Sequence, residues 1–297
     1  MEVSADRQLR ENETAKPTFT AGVIPDEPLV VIQPTNSWTP LNLGDLWAYR
    51  GLLYFLVWRD LKVRYKQTAL GMAWVIFQPL LMTVIFTVVL GMLVRVPTDN
   101  VPYPLFAYVG ILLWTFFSGA VSTTGNSLVG NAHLITKVYF PRLIIPVASI
   151  AARLVDFGVA FIILIGLMVY FRVGITPRFL AAPILILLLA LLALGLGMWT
   201  SAVNVKYRDV GIALPVLIQL GMFVSPVVYP LSLVPRKWQF VYSLNPLVGI
   251  IEGFRAVVFG GAIYWPAVII SAVVTPLLLL YAAYAFQSRE KTFADII

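Results

Sequence analysis

Six long apolar runs, at 71–94, 104–129, 143–171, 179–203, 210–234 and 262–286, constrain this chain more than any other feature. A helix rises about 1.5 Å per residue, so roughly 20 apolar residues cover a hydrocarbon core about 30 Å thick. Each run meets that length, and five of the six contain no Asp, Glu, Lys or Arg. The expected fold is therefore all-α and polytopic, with six transmembrane helices whose backbone amides are satisfied inside the helices because lipid offers no partners.

Composition agrees. Charged residues make up 12% of the chain against 60% hydrophobic, whereas a soluble domain carries about 25% charged residues. Cysteine is absent, which removes disulfides, iron–sulfur clusters and thiolate zinc sites. One histidine, His133, argues against a metal centre or a histidine proton relay. The net charge of +7 is distributed as expected for a membrane surface, not for a nucleic-acid partner. Residues 1–40 are a different material: Pro17, Pro25, Pro28, Pro34 and Pro40 stand among mixed charges with no helical period. They read as a mobile Pro-rich cytoplasmic tail, and they lack the pattern of a cleavable signal peptide.

Basic residues orient the spans. Arg59, Lys62, Arg64, Lys66, Lys137, Arg142, Lys206, Arg208, Arg289 and Lys291 fall on one side. The opposite side has Arg95, Arg172, Arg178, Arg236, Lys237 and Arg255. The positive-inside rule places the first set and both termini in the cytoplasm. The segment 235–261 carries charges and breaks at Asn245-Pro246. A seventh crossing there would put Arg289 and Lys291 on the wrong side. Two short helices re-entering the outer half of the membrane between helices 5 and 6 fit better than an external loop lying flat on the headgroups.

Residues 46–67 read as an amphipathic interface helix along the inner surface. Tyr54, Val57, Trp58, Leu61 and Tyr65 make one apolar stripe, with Arg59, Lys62 and Lys66 opposite and Asp60 and Arg64 towards the flank. The helix serves as an anchor, or Arg59, Lys62, Arg64 and Lys66 also gather the phosphates of an anionic lipid-linked substrate beside Gly71, Gln78 and Pro79. In the third run, Arg153 and Asp156 lie three residues apart and are expected to neutralise each other facing protein or water. Trp74, Trp114, Trp238 and Trp265 are expected in the interfacial belt. Phe77, Phe86, Phe223 and Tyr229 pack in the bundle or line a passage. Ser225-Pro226 through Tyr229-Pro230 is the densest cluster of helix breakers and leads into the re-entrant segment, which marks an outer gate containing Pro226, Pro230, Trp238, Asn245 and Pro246.

The stretch from Arg59 to Gly71, with Trp74 and Gln78-Pro79-Leu80, resembles the permease subunits of type-2 polysaccharide-exporting ABC transporters. Leu134 to Arg142, Asn204 to Asp209 and Ser225 to Pro230 are similar to the same family, in the same order and at the same topological positions. The likeness covers residues 41–297, the expected ABC-2 type transmembrane domain, and leaves the tail unexplained. It implies a homodimer in the bacterial inner membrane that binds two copies of a separate ATPase subunit. ATP and magnesium then belong to the partner, in keeping with the lack of any Gly-Lys pair in this chain. The loop 131–142, with His133, Lys137, Tyr139, Phe140 and Arg142, would be the coupling helix inserted into that partner. It was otherwise an ordinary basic loop.

The implied cargo is an undecaprenyl-diphosphate-linked polysaccharide, O-antigen foremost, entering between runs one and five. Teichoic acid, capsule or another lipid cargo is the nearest alternative. A polyprenyl-phosphate-sugar enzyme is disfavoured, because the membrane region offers only Asp156 and Glu252 as carboxylates, with Asp99 and Asp209 in loops. No catalytic or metal-binding residue is expected.

Overall fold

The computed structural model describes residues 43–66, 70–98, 101–174 and 176–296; the tail 1–40 lies outside them. Every regular element among the described residues is helical. In chain order these are α1 (Leu43–Ala48), α2 (Arg50–Lys66), α3 (Ala73–Phe86), α4 (Tyr103–Gly125), α5 (Ser127–Gly130), α6 (Ala132–Lys137), α7 (Ile144–Tyr170), α8 (Ala182–Lys206), α9 (Asp209–Phe223), α10 (Arg236–Ser243), α11 (Pro246–Phe259) and α12 (Trp265–Ile296). A π-helical stretch, Thr87–Leu93, extends α3, and a 3₁₀ turn, Pro177–Ala181, leads into α8.

Among the described residues, five helical spans are long and apolar enough to cross a membrane: Ala73–Leu93, Tyr103–Gly125, Ile144–Tyr170, Pro177–Lys206 and Trp265–Glu290. The chain is an all-α polytopic membrane protein. The fifth apolar run departs from the sequence expectation of one continuous span over 210–234. Its helix, α9, is 15 residues long, about 22 Å, and irregular backbone follows from Val224 to Pro230. Pro226 and Pro230 are the cause, because each lacks an N–H and disfavours helical geometry in the residue before it. Beyond this break, α10 and α11 form a pair bent by 107°. The turn falls at Leu244-Asn245, immediately before Pro246.

The central helix is α4. It packs on α3, α7, α8, α9 and α11, and most of its side chains are buried. Trp114, expected in the interfacial belt, instead sits in this core at 8% exposure, against Phe117; Trp74, Trp238 and Trp265 are exposed. By contrast, α3 and α9 present Val84, Met92, Leu93, Ile212, Leu217 and Phe223 outward. At the foot, a second apolar cluster gathers Leu56, Ile135, Phe140, Ile144, Phe286 and Phe293. It joins α2, α6, α7 and α12 into one base.

Gly110 of α4 is where the irregular backbone comes closest to a helix: a Cβ there would overlap the Val227 carbonyl and the Arg255 guanidinium. Gly110→Ala should therefore destabilise the detergent-solubilised protein by about 1–3 kcal/mol, read as a lower melting temperature. Gly158→Ala in α7, where a Cβ meets nothing, should leave melting unchanged or slightly higher.

Candidate functional site

At the end of the bundle expected to be inner, α2 docks along α7. Leu56, 1% exposed, joins Ile144, Ile145 and Ala148 near the start of α7. Two turns later, Arg64 and Tyr65 reach Asp156, well into the same helix. The helix expected at the inner surface thus rises alongside α7, with Tyr54, Phe55, Trp58 and Val63 facing outward. Arg64 donates to Asp156 Oδ2, and the Tyr65 hydroxyl donates to Oδ1 at 2.6 Å. Burial and then this hydrogen bond raise the Tyr65 phenol above its ordinary value. Arg153, expected to be the main partner of Asp156, stands 3.7 Å from the same Oδ2. The closer contacts come from another helix, which a spacing argument within α7 has no means of seeing.

The four basic residues of the substrate cluster are divided. Arg59 donates to Asp60 Oδ1 at 2.8 Å and to Asn131 Oδ1 at 2.7 Å. Lys62 and Lys66 are exposed. Arg64 lines a cavity of about 280 Å³ with Tyr65, Gly71, Trp74, Gln78 and Pro79, closed from the far side by Leu112, Thr115, Phe116, Arg153, Asp156 and Phe157. Two guanidiniums and one carboxylate therefore share one end of a pocket whose other walls are mainly apolar. Such a pocket suits an amphiphile with an anionic head.

At the end expected to be outer, each carbonyl from Phe223 to Tyr229 has a donor although the helix has stopped. The Tyr229 hydroxyl serves Phe223 at 2.8 Å and Asn245 Nδ2 serves Val224 at 3.3 Å. Val227 N serves Ser225 at 2.7 Å, and the Tyr103 hydroxyl serves Val228 at 2.8 Å. Arg255 serves Pro226 at 2.7 Å, Val227, and Tyr229 at 3.5 Å. Its guanidinium is paired with Glu252 at 3.0 Å and stacks 3.6 Å from the Phe106 ring centroid. Arg255, 4% exposed, is thus the hub of this region. Sequence reasoning counted it only as an outer charge; its signal was an arginine three residues after a glutamate inside an otherwise apolar helix.

Of the expected gate residues, Pro226, Pro230 and Asn245 belong to or contact this irregular segment. Pro226 and Pro230 are buried in the irregular segment, and Asn245 caps α11 through Leu247 N at 3.0 Å while its amide donates to Ser225 Oγ at 3.0 Å. Pro246 opens α11, and Trp238 is exposed on α10. Of the passage aromatics, Phe77 and Phe223 are exposed, while Phe86 and Tyr229 are half-buried.

In the loop expected to couple, His133, Lys137 and Tyr139 are exposed, with Tyr139 at 74%. Phe140 departs from the expected exposed set: it is 4% exposed in the foot cluster, because the turn before α7 folds it against Ile135 and Phe293. Arg142 is half-buried; its backbone N–H donates to Glu290 at 3.2 Å and its guanidinium lies 5.9 Å from the Phe293 ring.

Comparison with known proteins adds a family. Residues 51–259 match the ABC-2 type transporter model. The chain is similar to the O-antigen export system permease protein RfbA of Myxococcus xanthus, 29% identical over 257 residues that cover 85% of this chain and 98% of that protein. The protein of the same name in Klebsiella pneumoniae is 27% identical over 259 residues, 86% of this chain and 97% of that one. The polysialic acid transport protein KpsM of Escherichia coli is 26% identical over 213 residues, 69% of this chain and 80% of that one.

Asp156 holds α2 to α7, so Asp156→Asn should leave Arg64 and Arg153 facing each other uncompensated and cost about 3–5 kcal/mol. Pairing it with Arg64→Gln should recover part of that loss, giving a sub-additive cycle. Melting of the purified variants measures both, and full additivity would remove the clamp.

Proposed function

This chain belongs to the ABC-2 type transporter family, and from that premise we propose that it is the membrane permease of an ATP-driven exporter of a lipid-linked polysaccharide, O-antigen foremost. The observation carrying this is the match to O-antigen export permeases along nearly their whole length. The geometry supports it: a membrane bundle with an amphiphilic pocket at its inner end, a braced break in its fifth helix at the outer end, and an exposed Lys137 and Tyr139 at the end of α6.

Two copies pair and cover the outward face of α9. Each copy receives a separate ATPase subunit on Lys137 and Tyr139, with His133 beside them. ATP and magnesium sit in that subunit. Both termini are cytoplasmic, and the membrane is the bacterial inner membrane. The lipid diphosphate arrives at the inner end, where Lys62, Lys66 and Arg59 offer the outer contacts and Arg64 the inner one. The glycan leaves past Pro226, Pro230, Trp238 and the Asn245-Pro246 turn. Export of another polysaccharide, such as polysialic acid, is the second reading, favoured by the likeness to KpsM.

Because cysteine is absent, single cysteines report directly. Tyr139→Cys should react with an impermeant maleimide only in inverted vesicles and Trp238→Cys only in intact spheroplasts; the reverse pattern overturns the orientation. Combined Lys137→Ala and Tyr139→Ala should cut glycan export at least about tenfold, with permease yield unchanged. Phe140→Ala should lower yield through the core, at a cost of about 3–5 kcal/mol.

A further inference from the structure

The cavity at the inner end carries more charge than its own residues neutralise. Its charged lining groups are Arg64, Arg153 and Asp156. Asp156 is taken by Arg64 and by the Tyr65 hydroxyl, and Arg153 stands off at 3.7 Å. Two cations thus answer one carboxylate within the apolar thickness of the bundle, where an uncompensated charge is strongly disfavoured. The Arg153 Nε is buried with no hydrogen-bond partner among the described residues. Its guanidinium is seated against Gly119 of α4, where a Cβ would come within 3.2 Å of it. The group is held in place yet under-used.

Neutral polar groups stand on the same cavity walls: Gln78 of α3 and Thr115 of α4. Most of the remaining surface is apolar, with Trp74, Val75, Leu112, Phe116 and Phe157 the large side chains besides Tyr65. The α3 wall is thinly covered, with Trp74 and Phe77 about half exposed, so the pocket is reached from the lipid side. A volume of about 280 Å³ is at the small end for ligand sites. It holds a head group and the first carbons of a chain, with the rest of the chain outside among lipid tails.

We infer that this cavity is a binding site for a phosphorylated lipid, with Arg153 as its principal phosphate-recognising group and Arg64 as the second. The phosphate supplies the missing negative charge and the acceptor that Arg153 lacks, while Trp74, Phe116 and Phe157 take the chain. Phosphate and Asp156 compete for Arg64, so an occupied site loosens the contact between α2 and α7. The site deepens the export reading by naming the residue that recognises the lipid head; it rests on that reading only for the view that the lipid is the cargo's carrier.

The test uses the full-length chain, purified without any ATPase, with farnesyl diphosphate as probe and binding followed by tryptophan fluorescence and native mass spectrometry. Arg153→Gln should weaken binding about tenfold or more, as loss of a charge-assisted hydrogen bond implies. Lys237→Gln on exposed α10, with the same change in charge, should not. Thr115→Phe, which fills the cavity without touching its charges, should also abolish binding and serves if Arg153→Gln does not fold. Displacement by undecaprenyl phosphate in nanodiscs supports a carrier-lipid site, and displacement by phosphatidylglycerol supports a resident phospholipid. Farnesol binding as well as farnesyl diphosphate, pyrophosphate competing equally well, or unchanged affinity in both variants would overturn the inference. Binding needs neither nucleotide nor glycan. Intact binding with no export in cells therefore counts against the export reading alone, and intact export with no binding counts against this site alone.

Discussion

A membrane interior supplies no hydrogen bonds to exposed peptide groups, and the break after α9 has to be paired from within the protein. Arg255 meets the largest share of that demand, three of the seven carbonyls from Phe223 to Tyr229. Ending a helix inside an apolar bundle strands its last carbonyls, and here two prolines prevent the chain from resuming a helix. The guanidinium, with donors in a fixed planar fork, reaches the carbonyls of Pro226, Val227 and Tyr229 at once. Glu252 balances its charge from one turn earlier in α11. The position of the bent pair follows from this: α11 must lie where Arg255 can face α4, and Gly110 clears the space for it.

The inner end depends on a different device. Asp156 draws Arg64 and Tyr65 from α2, and Leu56 ties the same helix into the foot cluster with Phe140, Phe286 and Phe293. One 17-residue helix thus spans from the base, beside the exposed Lys137 and Tyr139, to the charged end of the cavity. Leu56 and Arg64, two turns apart on that one helix, thus tie the foot to Asp156.

Much of this was legible in the amino-acid sequence, and the losses have definite causes. Span positions followed from length and polarity, and the bent pair from Asn245-Pro246 between two short apolar stretches. The fifth span was overextended because hydropathy does not register backbone geometry: 224–234 is apolar whether helical or not. Arg153 and Asp156 were matched with each other because spacing along one helix is visible and the approach of Arg64 from another is not. Phe140 was grouped with exposed neighbours because a loop sequence does not say which of two adjacent aromatics turns inward. Arg255 was miscounted for a related reason. A charge near a loop resembles a surface charge until its carbonyl acceptors are located in space.

The two ends differ in how readily they can change state. At the outer end, the Arg255 contacts are charge-assisted and buried, each contributing about 1.5–3 kcal/mol, and moving α11 away from the 224–230 segment would break several together while stranding carbonyls in lipid. That unit is therefore expected to move as one body, with Leu244-Asn245 and the end of α9 as its flexible margins. Around Asp156, one carboxylate accepts from Arg64 and Tyr65, and Arg153, 3.7 Å away, is the cation in excess. An arriving anion replaces Asp156 at a guanidinium without leaving any group unpaired, so the exchange is close to balanced. The geometry thus assigns ligand-responsive change to the contact between α2 and α7, and rigid transmission to the braced segment above it.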